Sequence, residues 1–229
     1  MIRTSNLGIL LACSAFCLPV TAKDNLPTAK QRFGGETEEA ESPSFRRHVV
    51  PLASKLGCSG RECHGSFQGR GDFQLSLFGY DFAKDHKAIT ADKENRIRIN
   101  PDQPEKSLFL QKPMKQVKHK GGEIYEKGSW EHNVMLKWIE QGAKLDVEET
   151  GAFDRLEIFP KEFVGKKPGD TIQLKVLAHW KDGTVEDVTG FTRFDTNDES
   201  VAVVDGNGAV ELTGKGCLLY TSDAADDTP

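Results

Sequence analysis

The chain has 229 residues, of which 37% are hydrophobic and 28% charged. That describes a globular protein with room for one or two domains, neither disordered throughout nor membrane-embedded. A formal net charge of −5 argues against nucleic acid as a partner, because phosphate binding wants a clustered basic surface.

Residues 1–22 have the three-part layout of a secretory signal. Arg3 supplies the positive start, Leu7 to Val20 form an apolar run, and Val20-Thr21-Ala22 is a small-residue cleavage site. The run is shorter than the roughly 20 residues of a membrane-spanning helix, and Pro19 interrupts its end. A competing lipoprotein reading would use Leu10-Leu11-Ala12-Cys13 and place a lipid on Cys13. Cleavage leaves the mature chain outside the cytoplasm, in the periplasm or at the cell surface. No later segment is apolar for long enough to span a bilayer. Residues 23–44 are polar, acidic and broken by Pro and Gly, and are expected to be a flexible linker.

From Phe45 the pattern turns helical, with Val49, Leu52, Ala53 and Leu56 recurring on one face and Ser42 or Ser44 placed to cap. Pro51 weakens this helix and Gly57 ends it. A Gly-rich passage and a turn-rich middle follow, with a short helix expected near Pro104 to Lys112. Ser129 opens an amphipathic helix carrying Trp130, Val134, Met135, Trp138 and Ile139 on one face, and Gly142 stops it. After a short acidic joint the period switches to two: Ile172, Leu174, Val176, Ala178 and Trp180 alternate with polar or smaller neighbours. Asp182-Gly183 and residues 205–208 are hairpin turn signals. The fold class expected is multidomain: a small all-α domain over 45–147, then an incomplete all-β immunoglobulin-like sandwich over 153–216. Residues 217–229 break the strand pattern and read as a sequence artefact at a truncated end.

Of five cysteines, Cys13 and Cys17 leave with the signal and Cys217 falls in the irregular tail. Cys58 and Cys63 remain, with His64 directly after them. An exported protein with one cysteine pair has a disulfide by default. The adjacent histidine argues instead for haem c, in which two thiols bond the porphyrin vinyl groups and the histidine ligates the iron. Four residues separate the cysteines where two are usual, which weakens the motif taken alone. Zinc is disfavoured because no second paired ligand cluster lies nearby. A distal iron ligand is offered by the loop 112–122, where His119 and Met114 both stand. His119 is preferred because Gly121 and Gly122 allow close approach of the backbone to the ring. Core packing for Met114 and exposure for His119 are the competing readings. Lys112, Lys115, Lys118 and Lys120 form either a docking patch for an acidic redox partner or a solvated loop.

Six ordered landmarks occur together: residues 58–65, Phe73 to Gly79, Asn100-Pro101, Pro104 to Leu108, the loop of His119 with Gly121-Gly122, and Trp138 to Ala143. They resemble the cytochrome c-like amino-terminal region of large secreted planctomycete-type proteins, over residues 45–145. The resemblance implies Cys58 and Cys63 as thioether sites, His64 as proximal ligand, and supports His119 over Met114. Residues Leu156 to Pro160, Gly183 to Thr189 and Asn197 to Gly208 resemble the group 2 bacterial immunoglobulin-like domain. Such domains serve as spacers or surface binding modules.

The expected function is an exported haem c electron-transfer module coupled to a surface immunoglobulin-like domain. Two other readings compete with it. One is a surface binding protein with a Cys58–Cys63 disulfide, and the other is the amino-terminal fragment of a larger haem-dependent enzyme. Residues 23–216 contain no catalytic triad, paired carboxylates or phosphate loop, so no catalytic residue is named. The redox partner, and any ligand of the immunoglobulin-like part, are not identified by sequence.

Overall fold

The computed structural model describes residues 26–35, 41–91 and 98–216. The expected signal peptide, the expected artefact at 217–229, and Cys13, Cys17 and Cys217 lie outside the described residues.

A short helix, α1 (Ala29–Phe33), begins at Thr28. The Thr28 hydroxyl accepts from the Gln31 N–H, and the Gln31 side chain accepts from the Thr28 N–H. This reciprocal cap satisfies donors that a single helical turn otherwise leaves bare. Ala29 and Phe33 are both buried. This part of the segment expected as a linker is therefore packed structure. Two apolar residues on one face of a capped turn suffice once a core receives them.

A wide π-helical turn (Phe45–Val49) runs into α2 (Val50–Lys55), capped by Ser44, whose hydroxyl accepts from the Arg47 N–H. Pro51 sits in the first turn of α2, where a missing N–H is tolerated, and the widened turn stands immediately before it. Next come α3 (Phe82–Thr90), α4 (Leu108–Gln111) and α5 (Trp130–Glu140), joined by loops and 3-10 turns. Ser129 caps α5 by accepting from the His132 N–H, and Val134, Met135, Trp138 and Ile139 are its buried face.

Strands β1 (Phe153–Phe159), β3 (Lys175–Trp180) and β4 (Val185–Asp187) make one antiparallel sheet in the order β1-β3-β4. Strands β2 (Thr171–Gln173), β5 (Ala202–Val204) and β6 (Ala209–Leu212) make a second, in the order β2-β6-β5. The alternating run read as one strand is split between them. Gln173 pairs with Ala209 in the second sheet, whereas Lys175 pairs with Phe159 in the first.

The expectation of a small all-α cytochrome-like domain followed by an incomplete immunoglobulin-like sandwich is overturned. Among the described residues the fold is mixed α/β, with five short helices and two small antiparallel sheets. One core runs through both kinds of structure: Val176, Ala178, Val188 and Phe191 belong to the same buried cluster as Phe33, Phe45, Val49, Leu52 and Trp138. The physical reason lies in helix length. Helices of 4 to 11 residues are too short to be stable or to close a core among themselves. They take one face of the first sheet as their missing wall. Period two correctly marks β3 as a strand, yet it cannot say what covers each face. All four residues 176–179 are buried, with Val176 and Ala178 on the face shared with the helices.

Charge crosses the same boundary. Glu186 on β4 receives Arg32 at 3.2 Å, Arg47 at 3.1 Å and His48 Nε2 at 3.0 Å. Arg47 also reaches Asp182 at 2.5 Å, and its guanidinium lies 4.5 Å from the centroid of the Trp180 ring. The Ser44 N–H donates to His48 Nδ1 at 2.9 Å, so Nε2 is the nitrogen that donates to Glu186. Burial by itself pushes the Glu186 carboxyl up. Its bond to His48 and the guanidiniums of Arg32 and Arg47 outweigh that and hold it down to about 2. A folded-state value below the unfolded one stabilises the fold above the ordinary carboxyl range, and this stability is lost as pH falls through the folded value. Replacing Glu186 by Ala removes the carboxylate shared by two buried guanidiniums and His48, and is expected to cost about 3 kcal/mol in urea unfolding at pH 7. In the same measurement the wild-type advantage should shrink between pH 4.5 and about 2, whereas an unchanged gap across that window would remove Glu186 from this role.

Candidate functional site

Beyond α2 the chain closes on itself. The Cys58 N–H donates to the Ala53 carbonyl at 2.9 Å, and the Cys63 and Gly65 N–H groups both donate to the Gly60 carbonyl at 3.0 Å. The His64 N–H donates back to the Cys58 carbonyl at 2.9 Å. An internal turn thus absorbs the four residues between the cysteines and returns His64 to the first of them. Gly65 runs so close to Ser59 that a Cβ there would overlap the Ser59 carbonyl oxygen. The Leu75 N–H donates to the His64 carbonyl at 2.8 Å, tying the loop to the passage that follows.

Cys58, Cys63, His64 and His119 all line one cavity of about 880 Å³, a size typical of cofactor pockets. Leu56, Phe73, Leu75, Phe109, Val117 and Ile124 give it apolar walls. Both imidazoles are oriented in the same way. His64 Nδ1 lies 3.0 Å from the Phe73 carbonyl, with the two rings 4.6 Å apart between centroids. His119 Nδ1 lies 2.9 Å from the Gly122 carbonyl. A carbonyl only accepts, so each Nδ1 carries the proton and each Nε2 keeps its lone pair. That is the tautomer, and the backbone anchor, of a metal-ligating histidine. Burial lowers the His64 pKa from its ordinary value, although the Phe73 and Arg70 carbonyls offset part of this. His119 and Lys112 lie near enough to lower it further. His64 is therefore neutral at pH 7.

Cys58 and Cys63 are free thiols. Burial pushes the half-buried Cys58 thiol up to about 12, and the neighbouring Cys63 adds to the shift. It is protonated at neutral pH and correspondingly slow to oxidise.

Met114 is not among the residues that line the cavity. It is 7% exposed and packs in the core, its sulfur accepting from the Gln116 amide at 3.9 Å. Of the residues named from sequence, the fold thus brings together Cys58, Cys63, His64 and His119 and leaves Met114 behind a wall. The glycines after His119 serve a different purpose from the one expected. A Cβ on Gly121 would sit 2.8 Å from His119 Cε1 and 3.1 Å from Nε2. Gly121 makes room for the imidazole itself, and Gly122 offers the carbonyl that holds it.

Sequence reasoning missed several parts of this region. Arg98 lines the cavity, donates to the Ala91 and Asp72 carbonyls at 3.0 Å each, and lies 4.9 Å from the Phe73 ring centroid. It braces the residue that orients His64, and no local motif marks it. His48, His132 and His179 are all buried. The carboxylates of Glu41 and Glu186 with His48 bring ligand atoms within 4.8 Å of one another. Arg32 and Arg47 already neutralise them, so no cation is needed there.

No family model matches the chain, and no curated protein matches it. The family resemblance therefore rests on the motifs alone. Among the described residues no helix is long and apolar enough to cross a membrane.

Gly65→Ala is expected to lower unfolding stability by about 2–3 kcal/mol, because backbone rather than a side chain would have to yield. Thermal unfolding followed by circular dichroism measures this. A variant as stable as wild type would show that the cysteine loop is not so tightly closed.

Proposed function

We propose that the cavity holds a haem c and that the chain is an exported electron-transfer module. Cys58 and Cys63 would carry the thioethers, and His64 and His119 would hold the iron. The observation that carries the reading is the pair of Nδ1-anchored imidazoles lining the same apolar cavity as two free thiols. A haem held there would supply one-electron exchange between ferrous and ferric iron.

The chain's own residues account for the rest. The Phe73 and Gly122 carbonyls fix the tautomer and orientation of both rings, which raises ligand basicity. Phe73, Leu75 and Phe109 exclude water, and such exclusion is one of the levers on redox potential. Histidine in place of methionine as the distal ligand keeps that potential low. With both His64 and His119 holding the iron, no ligand position would be left for substrate, which favours a carrier over a catalyst. The burial of Met114 in the core supports His119 as the distal residue.

The test is a pyridine haemochrome spectrum of the chain matured with its signal and a cytochrome c maturation system. A c-type band that survives acid–acetone extraction is expected. His119→Ala should convert a six-coordinate low-spin spectrum to high spin, whereas Met114→Leu should leave it unchanged. Haem that extracts, or none at all, would return Cys58 and Cys63 to a disulfide pair and end the electron-transfer reading.

A further inference from the structure

The wall of the cavity is electrostatically one-sided. Among the described residues, Arg70, Arg98, Lys112, Lys118 and Lys120 line it, and no Asp or Glu does. This is a local reversal, because the chain as a whole carries a formal charge of −5. Arg98 is committed to backbone carbonyls and to the Phe73 ring. The other four differ. Lys112 touches only the Lys118 carbonyl, at 3.3 Å. Among the described residues, none of Arg70, Lys112, Lys118 and Lys120 has a carboxylate partner. Arg70, Lys118 and Lys120 are exposed and Lys112 is half-buried, so their charges face the mouth of the cavity and the solvent together.

Like charges gathered at the mouth of an apolar cavity set up a positive potential there that favours an anion. The three lysines also share with His119 the loop that lines the cavity, so an anion bound to them would lie beside that imidazole.

We infer that Arg70, Lys112, Lys118 and Lys120 form a carboxylate subsite that selects a dianionic porphyrin by holding its two propionates. The inference rests on the haem reading above and deepens it. His64 and His119 would recognise the metal, the apolar walls the ring, and these four cations the acid groups. Each recognises a different part of one flat, amphipathic ligand. The four cations also give the distal loop a reason to be basic that is separate from any docking partner.

The experiment titrates the unmatured full chain, followed by the Soret band, with iron protoporphyrin IX and separately with its dimethyl ester. The ester keeps the ring and iron but has no carboxylates. Wild type is expected to bind the free acid about tenfold more tightly than the ester. The triple variant K112Q/K118Q/K120Q should lose that preference while binding the ester as before. The triple Lys→Arg variant, which keeps the charge, should retain the preference. Circular dichroism of each variant guards against misfolding. Equal binding of acid and ester by wild type would overturn the subsite and leave the haem reading standing. So would an equal loss of both ligands in a folded Lys→Gln variant. Failure of wild type to bind either porphyrin would overturn the haem reading and the subsite together.

Discussion

Phe191 is the contact on which both halves of the molecule depend. It sits in the turn after β4, and its ring meets Phe33 at 6.2 Å, His48 at 5.3 Å and Trp130 at 5.4 Å between centroids. One side chain from the sheet region thus touches α1, the π-helical turn and α5 at once. The site inherits its rigidity from here. Val49, Leu52 and Ala53 hold α2 in that core, and Cys58 follows α2 with its N–H bonded to the Ala53 carbonyl. On the other side Trp138 of α5 packs against Phe45 at 5.1 Å and against Phe109, a cavity wall, at 6.1 Å. The sheet never enters the cavity, yet it fixes the elements that do.

The two charged regions of the protein follow opposite logic. At the boundary of helices and sheet, three cationic or imidazole groups converge on Glu186, and the region is satisfied from within. Around the cavity, mostly exposed cations gather, with no carboxylate lining it among the described residues. The first arrangement suits a structural joint and the second a ligand. The same contrast separates the histidines. His48 spends both nitrogens on protein partners. His64 and His119 each spend Nδ1 on a carbonyl and keep Nε2.

The local content of the chain was legible from its residues. Ser129 and Gly142 bracket α5 as their types dictate, since a hydroxyl caps the first turn and Gly142 adopts a φ of +91° beyond the last. Asp182-Gly183 turns β3 into β4, and residues 205–208 turn β5 into β6. Cys58, Cys63 and His64 stand out by adjacency, and all three line the cavity. These are short-range facts, fixed by propensity, turn stereochemistry and side-chain type.

What only the tertiary structure decided is which surfaces meet. Alternation along 171–180 marks a strand but does not reveal that the chain changes sheets at Leu174, or that helices cover one face of β3. The expectation of an all-α unit followed by an immunoglobulin-like sandwich failed there, because a hydrophobic period encodes a buried face and not the identity of its partner. Met114 and His119 stand five positions apart in one loop, and their sequence context leaves both open as ligands. Packing alone sends the first into the core and the second to the cavity. Arg98 and Arg70 carry no motif at all. They join the site only because the loops that bear them fold against His64, a long-range contact that no local pattern can specify.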